Sequence, residues 1–297
     1  MIMTAEKPAE KSRKKFKINY RMLIVIPVLI LLFSFGIVAS QYIRTGEFFL
    51  RSIDMKGGTV ITVNTQERLD INAIEKQLSQ KFSPITVREI SSFRGYGTVI
   101  ETSNDVNATQ VLDEVSAMGI DTSSNDVESI GPSLGASFWS QAQLAIVAAF
   151  VFMAIVVFVI FRTFIPSGAV VLSAFCDIFM TLAFMQIFGI ELSLAGLAAI
   201  LMLIGYSVDT DILLTSRLLK NPEDKTLHDK LKHAMKTGLT MTLTAISALL
   251  PLVILGISPV ITQIATVLLI GLAFDIMNTW ITNYAILQWY CEKRGMK

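Results

Sequence analysis

Six long apolar stretches, almost free of charge, constrain the fold of this sequence more than any other feature. They cover residues 22–40, 144–161, 165–189, 192–206, 239–257 and 261–289. Asp177 and Asp275 are the charged residues within them. A helix rises 1.5 Å per residue, so about 20 residues cross the ~30 Å hydrocarbon core of a membrane. The fourth stretch is long enough only if it continues through Asp209 and Asp211 to Leu214. The sequence therefore predicts six transmembrane helices.

The basic residues predict how these helices are oriented. Lys and Arg number seven in residues 1–21, six in 217–236 and three in 291–297, and six spans place these regions on one side. Short loops rich in Lys and Arg stay in the cytoplasm, so both termini are predicted to be cytoplasmic in a protein of the cell membrane. Residues 22–40 follow a basic leader, as in a cleaved signal peptide, but their apolar core is long for one and favours an uncleaved anchor.

The predicted domain plan follows from these spans. It consists of a basic cytoplasmic tail at 1–21, a first span at 22–43, an external domain at 44–136, spans two to six at 137–290 with a cytoplasmic loop at 215–236, and a cytoplasmic tail at 291–297. The charged fraction of 16%, against about 25% in soluble proteins, is typical of a membrane protein. The net charge of +1 indicates no nucleic-acid partner.

The long loop between the first and second spans predicts a small α/β domain. Strand-like segments lie at 48–53, 59–65, 85–90, 98–101 and 126–130, and amphipathic helices at 70–82 and 106–118, with a turn at 94–97. This β-β-α-β-β-α-β order resembles a ferredoxin-like sandwich with one added strand. The predicted fold class is thus an α-helical membrane protein with six transmembrane helices and one external ferredoxin-like α/β domain between helices 1 and 2.

Nothing in the external domain indicates catalysis, a metal or a cofactor. The domain has no His, and the two cysteines, Cys176 and Cys291, lie outside it. Gly57 and Gly58 precede a strand rather than a helix N-terminus, so they favour a tight turn over a phosphate cradle. The sequence predicts a protein that is not an enzyme.

Two glycine motifs at the ends of the external domain resemble those of one known family. Residues 53–59 read Ile-Asp-Met-Lys-Gly-Gly-Thr, and residues 127–135 read Val-Glu-Ser-Ile-Gly-Pro-Ser-Leu-Gly. They resemble the Asp-x-x-Gly-Gly-Thr signature after the first span and the Val-Gly-Pro-Ser-Leu-Gly motif before the second span of the SecD/SecF proteins. The matching positions are Asp54, Gly57, Gly58, Thr59, Gly131, Pro132 and Gly135.

Two membrane segments extend this resemblance to nearly the whole chain. Gly205 opens a Gly-Tyr-Ser segment of the fourth span, and residues 237–244 are rich in Thr at the start of the fifth, as in SecD/SecF proteins. The single small external domain and the short chain resemble the SecF branch, and the residues around Asp209 resemble its archaeal members.

This resemblance implies a fold, partners and an energy source. It implies half of a transporter unit of the resistance-nodulation-division (RND) superfamily, whose six spans pair with a SecD-like subunit and assist protein export at the Sec translocation channel. In bacterial members, proton flow is thought to drive movement of the external domain, which holds the translocating polypeptide.

The sequence departs from the bacterial pattern in two places. Bacterial SecF has an acid at the position of Thr210, whereas here Asp209 and Asp211 flank that position. Bacterial members also carry an arginine early in the fifth span, where residues 240–242 are Thr-Met-Thr. The arginine of the bacterial members therefore has no counterpart at these positions. This difference argues against an unchanged bacterial proton mechanism.

Four aspartates are candidates for a proton or ion pathway, because a carboxylate in a bilayer costs roughly 3 kcal/mol. Asp209 and Asp211 are two residues apart and point about 200° from each other on a helix, so they cannot share one pocket. A functional role is favoured for Asp209, whereas an interfacial charge near Arg217 is the favoured explanation of Asp211. Function is also favoured for Asp275 in the sixth span. For Asp177, a structural pairing with a hydroxyl or another span is as good an explanation as a role in a proton relay.

Two polar stripes accompany these acids. Asp275, Asn278 and Thr282 follow one face of the sixth span, and Thr237, Thr240, Thr244 and Ser247 follow one face of the fifth. In neighbouring helices the two stripes would line a hydrated path. Alternatively they would hydrogen-bond across helices as packing contacts. Both interpretations stay open for the threonine stripe.

Two further segments also leave alternatives open. Residues 131–135 join the external domain to the second span and are either a hinge or a rigid elbow, since Gly is permissive and Pro fixes φ. Residues 217–236, with Leu227, Leu231 and Ala234 on one face, are either an amphipathic helix on the cytoplasmic surface or a solvated loop.

Three functions remain for this sequence. The favoured one is a SecF-like export subunit in which protonation, of Asp209 first and Asp275 second, removes a buried charge and moves the external domain. The rival is a scaffold without ion flux that binds SecD, the channel or a membrane insertase. Half of another transporter of the same superfamily has less support, because its external domain would be larger.

Overall fold

The structure is a computed structural model that describes residues 20–65, 67–92, 95–219 and 227–295. Its helices are α1 (Tyr20–Leu23), α2 (Val25–Thr45), α3 (Ile53–Lys56), α4 (Ile71–Leu78), α5 (Ala108–Ala117), α6 (Pro132–Phe161), α7 (Phe164–Ile187), α8 (Leu194–Leu219), α9 (Leu227–Leu255), α10 (Pro259–Met277) and α11 (Tyr284–Lys293). A π-helix (Asn278–Asn283) joins α10 to α11. The strands are β1 (Gly58–Thr65), β2 (Ile85–Ser92), β3 (Gly95–Thr102) and β4 (Asn125–Ile130).

Six helices of the described residues are long and apolar enough to cross a membrane, which agrees with the number predicted. They are α2, α6, α7, α8, α9 and the continuous helix Pro259–Lys293, which consists of α10, the π-helix and α11. Several extend beyond the apolar stretches: α6 already begins at Pro132, and α9 at Leu227, because polar first turns continue the same helices.

Helices α7 and α8 form the centre of the bundle. In their most apolar segments, 67% and 50% of the residues are buried, against 17% in α2 and α6 and 11% in α9. Close approach of α8 to α10 depends on Gly271, since a Cβ there would lie 2.3 Å from a methyl carbon of Leu203. Polar side chains on the inner faces of α7 and α8 are therefore withdrawn from lipid.

The start of α9 corrects one prediction. Residues 220–226 of the predicted cytoplasmic segment lie outside the described residues. From Leu227 onwards the chain is helical and continuous with the fifth span, and Leu231 packs in a cluster with Trp280. The predicted apolar face exists, but it covers the bundle's own helices. The predictions of a separate surface helix and of a solvated loop were both wrong for these residues.

The four strands form one antiparallel sheet between the first two spanning helices. Its order is β2-β3-β1-β4, and the chain runs β1-α4-β2-β3-α5-β4. Ile61, Leu78, Ile100 and Val111 are fully buried in the core that the sheet shares with α4 and α5. Alternation of apolar and polar residues along β1 places Ile61 and its alternate neighbours on the helix-covered face.

Both helices of this α/β module begin at a side-chain cap, as their sequences predict. The Asp70 carboxylate accepts a hydrogen bond from the Ala73 amide at 3.2 Å, and the Asn107 side-chain oxygen accepts one from the Thr109 amide at 2.9 Å. Such caps satisfy amides that have no partner within the helix. They explain why the predicted helices at 70–82 and 106–118 lie almost where the structure has α4 and α5.

The predicted first strand at 48–53 was wrong. In this segment Arg51 forms an isolated bridge to Leu192, and the chain then turns into helix α3. Residues 50–52 form backbone hydrogen bonds with Leu192, in the connection between α7 and α8, rather than with the sheet. The predicted bounds of the turn, 94–97, were also wrong. Ser92 pairs with Gly95, so 95–97 belong to β3, and residues 93–94 lie outside the described part.

Candidate functional site

Three of the four predicted aspartates meet in the middle of the bundle. Asp177 of α7, Asp211 of α8 and Asp275 of α10 each have 0% of their surface exposed. No Lys or Arg in the described part of the chain forms an ion pair with them. Buried carboxylates without a basic partner are compensated by hydrogen bonds, by protons or by ions, so the neighbours of each one define the site.

Asp177 accepts two short hydrogen bonds from two different helices. The Ser207 hydroxyl of α8 donates to Oδ2 at 2.6 Å, and the Asn278 amide of the sixth span donates to Oδ1 at 2.7 Å. Thr282 in turn donates to the Asn278 side-chain oxygen at 3.3 Å. Asp177 thus links α7 to both of its central neighbours.

Asp275 is held by hydroxyls. Thr210 of α8 donates to Oδ1 at 3.0 Å, with Oδ2 at 3.3 Å, and Thr279, one turn after Asp275, also donates to Oδ1 at 3.0 Å. The Thr210 hydroxyl lies 3.4 Å from that of Thr279. At the position where bacterial SecF has an acid, this chain therefore offers a hydroxyl to an acid on a neighbouring helix.

Asp211 is also enclosed, which corrects the predicted alternative of an interfacial charge near Arg217. The Asn283 amide donates to Oδ1 at 2.7 Å, while Oδ2 has no hydrogen-bond partner among the described residues. The burial follows from helix geometry, since residues two apart point in nearly opposite directions and Asp209 takes the outer face. Asp211 is the one aspartate of the three whose hydrogen-bonding capacity is clearly unfilled.

A π-helix supplies the partners of all three aspartates, and the sequence patterns did not predict it. Residues 278–283 leave the α-helical hydrogen-bond pattern. A π-helix closes bonds over five residues, so Asn278 and Asn283 come to lie on one side of it. The available signal was the run of polar residues Asn278, Thr279, Thr282 and Asn283 within an apolar span.

Asp209 and the threonine stripe lie elsewhere. Asp209 and Gly205 are exposed on the outer face of α8, and a Cβ added to Gly205 would meet no atom within 4 Å. Gly205 therefore makes no close packing contact within the described residues. Because Asp211, not Asp209, faces the bundle, the structure does not bring the residue favoured from sequence into the buried group.

The hydroxyls of the predicted threonine stripe on the fifth span also face outwards. Thr240 donates to the Lys236 carbonyl and Thr244 to the Thr240 carbonyl, both at 2.7 Å, and both residues are exposed. Ser247 and Thr237 follow the same pattern with the carbonyl one turn earlier. The two predicted polar stripes consequently do not line one path within this chain.

The glycines of the two family-like motifs pack against each other. A Cβ on Gly135 would lie 2.5 Å from the Gly57 nitrogen, and one on Gly57 would lie 2.6 Å from the Pro132 Cα. Gly57 also has φ of +82°, a conformation that favours glycine. Gly131 caps α6 with an ordinary φ of −63°. This packing favours the elbow over the hinge at residues 131–135.

The other motif residues hold the α/β module at the bundle. The Leu194 amide at the start of α8 donates to the Asp54 carboxylate at 3.3 Å. Thr59 on β1 lies 3.0 Å from the Ser129 hydroxyl on β4, and a Cβ on Gly58 would lie 2.9 Å from the Thr102 carbonyl oxygen. The first motif therefore joins the sheet to the connection between α7 and α8.

A group of charges reinforces this junction. Arg88 of β2 contacts Glu101 of β3 and donates to Glu191 in the α7–α8 connection at 3.3 Å. Burial, followed by repulsion from Glu101, raises the pKa of Glu191, while Arg88 and Lys56 oppose that rise. One guanidinium thus serves two carboxylates across the boundary between module and bundle.

Comparison with known proteins identifies the family. Residues 110–293 match the family model described as "Protein export membrane protein SecD/SecF, C-terminal". The SecF of Methanocaldococcus jannaschii is 40% identical over 94% of this chain and 98% of its own length. The SecF of Pyrococcus furiosus is 40% identical over 97% of both chains.

The chain belongs to the SecD/SecF family of protein-export membrane proteins. The resemblance to archaeal SecF that was inferred from four short motifs is confirmed. The SecD/SecF fold is also shared with SecDF of Thermus thermophilus, a translocon-associated membrane protein, with a TM-score of 0.78 at 18% identity. The match covers 92% of this chain and 38% of that longer chain.

The SecF-family chain has no evident catalytic or metal centre in its described residues, where no group of three or more His, Cys, Asp and Glu side chains is arranged to hold a metal. What the buried group can do is hold or pass protons, since it consists of carboxylates joined by hydroxyls and amides. Its position in the family's membrane domain makes it the candidate functional site.

Proposed function

We propose that this SecF-family chain couples ion movement, in the first instance of protons, to protein export through Asp177, Asp211 and Asp275. One observation carries the proposal: these carboxylates are fully buried among membrane-spanning helices with no basic partner in the described residues. Charged acids in the membrane interior are costly, so their number favours a site that changes its protonation during work.

A continuous series of polar groups connects two of the three acids. Asp177 accepts from the Ser207 hydroxyl, and the Thr210 hydroxyl lies 2.8 Å from the Ser207 carbonyl oxygen and 3.0 Å from Asp275 Oδ1, so it donates its single proton to one of these two acceptors at a time. Hydroxyls both donate and accept, so they can re-orient when a neighbouring carboxyl gains or loses a proton. The proposed pathway therefore uses the buried acids rather than Asp209, which the sequence favoured.

The position of Asp209 supports a partner subunit. An acid on an outer helix face is unfavourable against lipid, and the hydroxyls of Thr240 and Thr244 line the outer face of the adjacent α9. Polar side chains favour contact with another helix over contact with lipid. We propose that this face meets the six spans of a SecD-like subunit, and that the pair works at the Sec channel.

The α/β module is proposed to be the external, ferredoxin-like domain. Its antiparallel order β2-β3-β1-β4 with α4 and α5 on one face supports that assignment. The orientation proposed from the basic residues places both termini in the cytoplasm and residues 44–136 outside. The module would then meet the translocating polypeptide as it emerges from the channel.

A scaffold without ion flux is the second candidate, and one observation favours it. Asp177 and Asp275 each accept two or more good hydrogen bonds, so they serve equally well as contacts that hold α7, α8 and α10 together. Residues 240–242 also lack the arginine of bacterial members.

Export assays on the reconstituted complex separate the two candidates. The triple change of Asp177, Asp211 and Asp275 to Asn keeps polar side chains of similar size but removes their proton exchange. If the chain couples ions, the triple variant assembles normally and loses the stimulation of export by a proton gradient. Normal gradient-dependent export by an assembled triple variant would overturn the coupling role and favour the scaffold.

Asp209→Asn is the matched control, since this acid is on the outer face. We expect the Asp209→Asn variant to keep its response to the gradient once assembled, and to bind the SecD-like partner more weakly. A loss of gradient response in assembled Asp209→Asn equal to that of the triple variant would contradict the assignment of the ion pathway to the buried group.

A further inference from the structure

A groove with an apolar and a polar end runs along the surface between α2 and α7. Its volume is about 390 Å³, and it is lined by Phe33, Gly36, Ile37, Ser40, Gln41, Arg44, Gln186 and Ile187. This volume falls in the range of small-molecule sites, about 300–1,000 Å³. The proposed ion pathway, the partner face and the α/β module make no use of it.

The lining of the groove changes from apolar to polar along α2, as a lipid molecule changes from acyl chain to headgroup. Phe33 and Ile37 line its apolar part, whereas Ser40, Gln41 and Arg44 line its polar end. From Phe33 to Arg44 the helix rises about 16 Å at 1.5 Å per residue. Half of a ~30 Å hydrocarbon core has nearly the same thickness, so the groove extends over one leaflet.

Arg44 supplies a positive charge at the polar end without a protein counter-charge. It is exposed in the last turn of α2, and it has no ion pair among the described residues, in contrast to Arg51, Arg68 and Arg88, which each contact a glutamate. A guanidinium matches the geometry of phosphate oxygens and binds them through two hydrogen bonds.

The groove is open because Gly36 contributes no side chain, and its polar end is held by fixed contacts. A Cβ added to Gly36 would meet no atom within 4 Å, so this glycine is not required for close packing. The Gln186 amide donates to the Phe48 carbonyl at 2.8 Å, and the Phe48 ring stacks on Tyr42 at 4.5 Å between centroids. These contacts tie α7 to the end of α2 and keep the groove from closing.

We propose that this groove binds one phospholipid, with its phosphate at Arg44 and Gln41 and one acyl chain along Gly36 and Ile37. The charge of the unpaired Arg44 selects an anionic headgroup. The bound lipid would fill the space that Gly36 leaves between α2 and α7, and it would support the helix that leads into the α/β module. The proposal is independent of the proposed ion coupling.

Native mass spectrometry of the purified, delipidated chain tests the site, with phosphatidylglycerol or phosphatidylcholine added back. We expect one phosphatidylglycerol to be retained at a voltage that removes phosphatidylcholine. Arg44→Gln removes the positive charge at the polar end. Gly36→Leu places a side chain in the open groove, where the acyl chain is proposed to lie. Each variant should lower the fraction of retained phosphatidylglycerol at least fivefold. Addition of inorganic phosphate should not displace the lipid, because the acyl chain contributes to binding.

Two variants elsewhere serve as controls, and gel filtration and circular dichroism verify that every variant is folded. Arg162→Gln removes an exposed arginine at the opposite end of the bundle, and Gly168→Leu fills another open surface glycine. Both should retain the lipid. Equal loss in the control variants, or full retention in Arg44→Gln and Gly36→Leu, would overturn the proposal. So would a cross-link from Gly36→Cys to a partner helix in the assembled complex, since a protein would then fill the groove.

Discussion

Each of the three buried aspartates accepts a hydrogen bond from a side chain of the sixth span. Asp177 is bound by Asn278, Asp275 by Thr279 and Asp211 by Asn283. Hydrogen bonds to charged groups contribute about 1.5–3 kcal/mol each. The sixth span therefore sets the positions of all three acids, and changes in its register would alter all three together.

Thr210 provides a residue-scale test of this dependence. Thr210→Val keeps the volume but removes the hydroxyl that donates to Asp275, and we expect it to lower the free energy of unfolding of the isolated chain by about 1–3 kcal/mol. Thr244→Val is the control, because Thr244 faces outwards and bonds its own helix. Denaturation in detergent, followed by circular dichroism, measures both. Equal effects of the two changes would mean that the Thr210 hydroxyl has no special role.

The unfilled capacity of Asp211 leads to a second residue-scale prediction. Asn283→Ala removes the amide that donates to Asp211 Oδ1, and Oδ2 already has no hydrogen-bond partner among the described residues. We expect a loss of about 1–3 kcal/mol, because a buried carboxyl group is left without its hydrogen-bond partner. The double variant Asp211→Asn, Asn283→Ala should recover part of that loss. Absence of recovery in the same denaturation measurement would show that the damage is a packing defect.

The acids themselves could be found from sequence, whereas their partners could not. A carboxylate in an apolar stretch is visible in any sequence, so Asp177 and Asp275 could be named as candidates, and the structure places both in the buried group. Which of Asp209 and Asp211 faces inwards depends on the rotation of α8 about its axis. That rotation is set by contacts such as Leu203 with Gly271, which no pattern within one helix contains.

At the scale of elements, the predicted bounds of strands and helices in the α/β module agree with the structure where the local sequence determines them. Amphipathic spacing placed α4 and α5, and strand-like sequence placed β1 and β4, within a few residues of their bounds in the structure. The segment at 48–53 is also strand-like in sequence, but its backbone pairs with Leu192 across the boundary to the bundle. The π-helix has no established local signature, because it results from how the polar side chains of one helix fit its neighbours.

The packing between two motif glycines gives an element-scale prediction. Gly135→Ala would place a methyl group 2.5 Å from the Gly57 nitrogen, so α3 and α6 would have to separate. We expect a loss of about 1–3 kcal/mol in the free energy of unfolding, as for other overpacked contacts. Gly131→Ala is the control, since a Cβ there meets no atom within 4 Å. Similar unfolding midpoints for the two variants would contradict the close contact.

At the scale of the whole molecule, the α/β module and the bundle meet at the connection between α7 and α8. This connection leads into α7 with Asp177 on one side and into α8 with Asp211 on the other. Asp54, Arg88 and the backbone of Ser52 all contact it. A change in the position of the module is therefore passed directly to the two helices that carry Asp177 and Asp211.

Arg88 is the charge on which this junction depends most. Arg88→Gln would leave Glu101 and Glu191 facing each other without a shared cation, so we expect the module to separate from the bundle at neutral pH. Distances between spin labels on α5 and α6, measured by pulsed electron resonance, would lengthen or broaden. Arg68→Gln is the control, because its partner Glu89 belongs to the module itself. An unchanged distance in Arg88→Gln would show that backbone contacts alone hold the junction.

Glu191 gives the same junction a pH dependence whose sign follows from its pKa. Because burial and Glu101 raise that pKa in the docked state, the docked state binds the proton more tightly than the separated one. Docking is therefore strongest below the ordinary glutamate pKa and weakens as the pH rises through the raised value. Glu191→Gln should strengthen docking at neutral pH and flatten this dependence in the label distances. A wild-type junction that opens on acidification would show instead that the ion pair with Arg88 outweighs the cost of burial.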